Sequence, residues 1–175
     1  MTHSKLGILL IAFLLLVVCG SARAQAGPRE EIPFVPTPLE VIDKMLDLAA
    51  VKKGDVVYDL GSGDGRIVIR AAQKYAVRAV GIEMDTLLLD KARQDAKAAA
   101  VSHLVQFRKE DAMKVDLSQA TVVTLYMLPW FNEAMKPSFK KYLKPGSRIV
   151  AHDFGIEGWQ PDKTEKLSAP EKKTG

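Results

Sequence analysis

Two patterns of apolar and polar positions alternate along the chain after residue 33. Leu39, Ile42, Met45, Leu46 and Ala49 recur at helical spacing and predict a helix that buries one face. Thr37-Pro38-Leu39-Glu40 reads as its start, with Thr37 as cap, Pro38 in the first turn and Glu40 closing a capping box. Val56-Val57-Tyr58-Asp59-Leu60 is a nearly continuous apolar run, the signature of a strand covered on both faces. The same two patterns then repeat. They predict a helix over 66–75, a strand over 79–83, a helix over 86–100, and strands over 105–108 and 122–128. A helix over 131–143, interrupted near Pro137, and a strand over 148–154 complete the series. Strands separated by helical stretches imply an α/β domain over residues 37–155. Its sheet would be parallel, of about five strands, with helices on both faces. Ligands in such sheets bind beyond the carboxyl ends of the strands, where the strand order reverses.

The first residues follow another pattern. Lys5, an apolar run over 6–18 and Ala22-Arg23-Ala24 make residues 1–24 a secretory signal peptide cleaved after Ala24, or else a signal anchor. The run is shorter than the ~20 residues that span a bilayer, and an uncleaved leader would attach the chain to a membrane through residues 6–19. An exported or membrane-anchored location is therefore expected. Residues 25–36, rich in proline, predict an extended arm, and residues 156–175 a polar tail. Composition, at 47% hydrophobic and 26% charged, is that of a folded globular chain. The formal charge of +4 falls to +2 without Lys5 and Arg23, too little to indicate a nucleic-acid partner. Cys19 is the only cysteine and lies in the leader. A processed chain would therefore lack disulfides, thiolate nucleophiles and cysteine metal ligands, and no metal site is expected.

Chemistry concentrates in the turn Asp59-Leu60-Gly61-Ser62-Gly63-Asp64-Gly65, between a buried strand and a helix. A glycine-rich turn there lets the backbone approach a ligand closely, and nicotinamide, flavin and S-adenosylmethionine sites all use one. The dinucleotide fingerprint needs a small third residue, and Arg66 stands in that place. A dinucleotide would also bring a pyrophosphate to the helix start, beside Asp59 and Asp64. S-adenosylmethionine has no phosphate and carries a sulfonium and an ammonium, so the acidic turn suits it better. Glu83, at the end of the next strand, is placed to accept from ribose hydroxyls. Asp111, after the third strand, is placed to accept from an adenine amino group.

These segments resemble known motifs. Residues 56–65 are similar to the first motif of class I S-adenosylmethionine-dependent methyltransferases, which have a Rossmann-like fold. Gly81-Ile82-Glu83-Met84-Asp85 and Glu110-Asp111-Ala112 are similar to the second and third. Pro33-Phe34-Val35-Pro36-Thr37-Pro38, residues 121–129, His152-Asp153-Phe154 and Trp159-Gln160-Pro161-Asp162 narrow the likeness. Together they resemble the small protein-lysine methyltransferases typified by the mitochondrial enzymes acting on ATP synthase and on the adenine nucleotide translocase. The resemblance implies that Asp59, Gly61, Ser62, Gly63 and Gly65 surround the methionine part of the cofactor, with Glu83 and Met84 at the ribose and Asp111 and Ala112 at the adenine. It implies a protein lysine as acceptor, with Tyr126 as a contact beside Trp130 in an apolar slot. Met127-Leu128-Pro129-Trp130 stands where enzymes acting on nucleobases or amides carry an Asn/Asp-Pro-Pro-aromatic motif. Class I sheets usually end in an antiparallel hairpin, for which residues 155–175 have too few apolar positions. The fifth strand is then expected to be an exposed edge, open to pairing with another copy. A methyltransferase for a small molecule or other acceptor, and a cofactor-binding chain without activity, remain as alternatives.

Overall fold

The computed structural model describes residues 32–167; the expected leader, the start of the expected arm and the last residues of the tail lie outside it. Helix α1 (Leu39–Leu48) leads into strand β1 (Val56–Leu60), followed by α2 (Arg66–Tyr75), β2 (Arg78–Glu83) and α3 (Thr86–Ala98). Strands β3 (Val105–Lys109) and β4 (Val122–Leu125), helices α4 (Pro129–Ala134) and α5 (Lys136–Tyr142), and strand β5 (Arg148–Ala151) follow. All strand pairs are parallel, in the order β3-β2-β1-β4-β5. The order reverses between β1 and β4, so the carboxyl ends of these strands frame the expected crevice.

Alternation along the strands builds two cores. Val57, Ala79, Val122 and Val150 face α1 and α2, where Ile42, Leu46, Val68 and Ala71 are fully buried. Burying side chains such as Ile42 and Leu46 contributes about 1.5–3 kcal/mol each. Ala96 of α3 extends this layer against Ile69 and Ala72 of α2. Tyr58, Leu60, Ile82, Val123 and Leu125 point the other way, onto Phe131 of α4, Phe139 of α5 and Met135 between them. Between β3 and β4 the chain forms turns instead of a helix, and Ala112, Val115 and Leu117 fill that part of the second core. Beside them the guanidinium of Arg108 lies 5.8 Å from the ring centroid of Tyr58.

At the amino ends of the strands, Asp55 ties three segments together. It accepts from Thr121 (2.7 Å), from Arg148 at the start of β5 (2.5 Å) and from the backbone of Lys52 (2.9 Å). Burial alone would push the Asp55 carboxyl up, and these bonds hold it below the usual range.

Several boundaries differ from the sequence pattern for identifiable reasons. Pro38, not Thr37, occupies the cap of α1, which has no side-chain cap bond. Thr37 is instead buried, with its carbonyl engaged by Arg66. β4 stops at Leu125 and β5 at Ala151; just beyond β4, Tyr126 and Met127 line the crevice as loop residues. The predicted break in the 131–143 helix falls at Met135, which places Pro137 in the first turn of α5, where its missing N–H is harmless.

Among the described residues no strand follows β5, and no helix is long and apolar enough to cross a membrane. The tail is less detached than its polarity suggests. Ile156 packs on the second core, Trp159 lies 6.3 Å from Phe139, and Glu165 reaches Lys44 of α1 (2.5 Å). Since α5 and α1 sit on opposite faces, the tail reaches from one face to the other.

Candidate active site

Beyond the carboxyl ends of β1, β2 and β4 lies a cleft of about 400 Å³. Asp59, Gly61, Ser62, Gly63, Glu83, Met84, Asp111, Ala112 and Tyr126 all line it. Gly65 stands just behind, capping α2. The structure thus gathers in one place residues separated by up to 67 positions in sequence.

The turn is held from both sides. Gly61 and Ser62 donate their backbone N–H groups to the Ile82 carbonyl (2.9 Å each), and Gly65 donates to Ser62 (2.8 Å). Glu83 accepts from Gly63 through one oxygen (2.9 Å) and from Met84 (2.7 Å) and Asp85 (2.9 Å) through the other. This carboxylate therefore locks the end of β2 to the glycine turn. Asp85 accepts from Leu87 (2.7 Å) and Leu88 (3.2 Å), capping α3. Gly63 has φ +52°, and a Cβ there would strike the ring of Phe34. The arm thus lies directly over the turn, and residues 32–37 form a wall of the cleft.

The acids of the turn divide in function. Asp64 is neutralised by a bidentate bond to Arg66 (2.9 and 2.7 Å), whose remaining nitrogen donates to Thr37 (3.1 Å). Arg66 therefore braces the arm against the turn. Asp59 is only 2% exposed, accepts from Thr124 on β4 (2.6 Å), and leaves its second oxygen buried without a partner. Burial, reinforced by the charges of Glu83 and Asp64, pushes its carboxyl up to about 7. The folded chain thus holds a proton that the unfolded chain loses near pH 3.8. Stability without ligand should fall as pH rises from about 4 to about 7 and then level off, a loss of up to ~4 kcal/mol. Asp59→Asn should flatten that slope and raise the melting temperature at pH 8; an unchanged slope would contradict the burial argument.

Asp111 accepts from Met113 (2.9 Å) and pairs with Lys114 (3.3 Å), so part of its capacity serves its own turn. The hydroxyl of Ser62 is buried with no partner and fills the space above Gly81, which is why that position needs glycine. At the far end the lining becomes apolar, with Met113, Met127, Trp130, Phe131 and the Tyr126 ring.

The chemistry suits S-adenosylmethionine. A buried, half-satisfied carboxylate at Asp59 matches a cationic group, Glu83 offers oxygens at a strand end, and the side-chain-free turn admits close backbone approach. Sequence patterns alone did not show the brace of Arg66, the arm as a wall, or the fixing of the turn by Glu83. The Pro33–Pro38 segment and the odd Arg66 were the only signals.

Relatives agree with this assignment. The family model described as the ANTKMT methyltransferase domain matches residues 59–163, more than half of the chain. A protein-lysine N-methyltransferase from Saccharolobus islandicus is 43% identical over 78% of this chain and 85% of its own length. The adenine nucleotide translocase lysine N-methyltransferase of Mus musculus is 32% identical over 76% of this chain, which spans only 58% of that protein. A Salinibacter ruber protein, crystallised with S-adenosyl-L-homocysteine and described as an RNA methyltransferase, is 54% identical with a TM-score of 0.75, covering 76% of this chain and 87% of that one. The chain belongs to the ANTKMT methyltransferase domain family, whose class I fold binds S-adenosylmethionine.

Proposed function

We propose that the protein transfers the methyl group of S-adenosylmethionine to lysine side chains of other proteins. The observation that carries this is the charge of the cleft. Asp59, Asp64, Glu83, Asp85, Glu110 and Asp111 line it, and its one basic residue among the described residues, Arg66, is committed to Asp64. Such a cleft favours a cationic acceptor and repels a phosphodiester backbone. The archaeal and mouse relatives act on lysine by their descriptions, and the Salinibacter description makes RNA the reading to be tested against.

S-adenosylmethionine brings a methyl group on a sulfonium, with a neutral thioether as leaving group. Asp59, Glu83 and Asp111, with the backbone of residues 61–63, would hold it. What the chain must add is a neutral amine in near-attack geometry. A lysine ammonium has a pKa near 10.4 in water. The apolar end, with Met127, Trp130, Phe131 and Tyr126, disfavours the charged form and so promotes loss of its proton. No general base is required beyond water once the ammonium is desolvated. The leader-like segment over 1–24 supports action outside the cytosol or at a membrane surface, which cell fractionation of the full chain would test.

The direct test supplies methyl-labelled S-adenosylmethionine to the enzyme with total cell extract, then treats halves with protease or nuclease. Label should become soluble on protease treatment alone and appear as methyl-lysine after hydrolysis. Release by ribonuclease would transfer the chain to RNA methylation, and label confined to small molecules would contradict both.

A further inference from the structure

We propose that His152 is a positioning residue: its ring, stacked behind Tyr126, holds that side chain in place as a wall of the acceptor slot. This rests on the lysine reading above and names what sets the shape of the slot.

Tyr126 needs such support. β4 ends at Leu125, so Tyr126 stands in the loop beyond the ladder, yet it lines the cleft beside Met127 and Trp130. Its neighbour across the β4–β5 pairing is His152, since Leu125 is in register with Ala151. The two rings meet with centroids 4.0 Å apart and planes inclined at 38°. His152 is not among the residues that line the cleft, and its side chain is only 15% exposed. It therefore reaches an acceptor only through Tyr126.

The nitrogens of His152 do not account for its place. Nδ1 is buried with no hydrogen-bond partner. Nε2 lies 3.5 Å from the Asp153 carboxylate, too far for a strong bond. What the ring does have is contact with Tyr126.

The backbone that carries the ring is fixed on both sides. His152 donates its N–H to the Leu125 carbonyl (2.9 Å), and its own carbonyl accepts from Phe154 (2.7 Å). Asp153 between them is left-handed, at φ +59°, a conformation that non-glycine residues keep where neighbouring structure enforces it. That structure includes Asn132 of α4, fully buried, which donates to the carbonyls of Phe154 (2.8 Å) and Gly155 (3.2 Å). The ladder and α4 thus fix His152, and its ring fixes Tyr126. An aromatic wall held in this way defines where an uncharged amine can lie against the methyl group. Misplacing a reacting group by about 1 Å can cost on the order of 100-fold in rate.

The test uses the full chain with saturating methyl-labelled S-adenosylmethionine and total cell extract. The rate of label transfer is scored in whichever class of acceptor takes it. His152→Phe keeps a ring against Tyr126 but no nitrogen, and His152→Asn keeps a polar group but no ring. His152→Asn should slow transfer on the order of 10-fold or more, and His152→Phe should restore most of the rate. S-adenosylhomocysteine affinity should not move in either variant. In a Tyr126→Ala background His152→Asn should cause no further loss, since it acts through that ring. NMR of ring-labelled tyrosine, which needs no turnover, should show a ring-current shift at Tyr126 that His152→Phe retains and His152→Asn abolishes. Full activity in His152→Asn, a His152→Phe variant as slow as His152→Asn, or equal losses in both backgrounds would each overturn the proposal. So would a fall in S-adenosylhomocysteine affinity or a Tyr126 resonance indifferent to position 152. Because rate and ring shift are read whichever acceptor takes the label, failure here is distinguishable from failure of the lysine reading.

Discussion

Glu83→Ala should weaken S-adenosylmethionine binding by at least about 100-fold while the chain stays folded. The carboxylate has two tasks that alanine removes together. It is placed at the end of β2 to accept from the cofactor's ribose, and it already accepts from the backbones of Gly63, Met84 and Asp85. Without it these three N–H groups turn to solvent and the glycine turn loses its tie to β2. Bonds to a charged acceptor contribute roughly 1.5–3 kcal/mol each, so losing the ribose contact and the preorganised turn together exceeds about a hundredfold effect. Glu83 sits at the rim, outside the two cores, which is why the fold should survive. Calorimetric titration checks both halves of the prediction. Glu83→Gln should fall between, because its amide oxygen accepts but carries no charge. Undiminished binding by Glu83→Ala would mean that the ribose is held elsewhere.

The second large effect falls on stability. Gly65 caps α2 at φ +77°, and a Cβ there would stand 2.6 and 2.7 Å from the Phe107 ring and 2.9 Å from the Cβ of Ala92. A left-handed alanine alone costs about 1–2 kcal/mol. Overpacking adds about 1–3 kcal/mol, since Ala92 is fixed to the backbone of α3 and cannot swing away. Gly65→Ala should therefore lose roughly 2–5 kcal/mol in denaturant unfolding. Gly63 differs, because the atom in the way is the Phe34 ring at the tip of the arm. There the same substitution should displace the arm and weaken cofactor binding more than folding.

What could be read from the sequence was what local periodicity encodes. The helical spacing of Ile42, Met45 and Leu46 and the continuous run of β1 correspond to real buried faces. The glycine turn, Glu83, Asp111 and Tyr126 do converge on one cleft, because each follows a parallel strand and those ends point the same way. Other features depended on pairing that spacing does not reveal. Asp64 reads in the sequence as an acid facing the cofactor, but Arg66 neutralises it. Residues 126–128 continue the apolar run of β4 but form a loop, since Tyr126 and Met127 line the cleft. The tail looks detached by its charges, whereas Ile156 and Trp159 are the positions that attach it. Tyr126 and His152 lie far apart in sequence, and only the pairing of β4 with β5 stacks their rings.

The central claim is that the cleft is a seat for S-adenosylmethionine and not for a dinucleotide. Calorimetric titration of the full chain with S-adenosylmethionine, and separately with NADH, tests it most directly. Saturable one-to-one binding of S-adenosylmethionine, with no heat from NADH, is the expected result. Binding of NADH, or no binding of S-adenosylmethionine, would contradict the account.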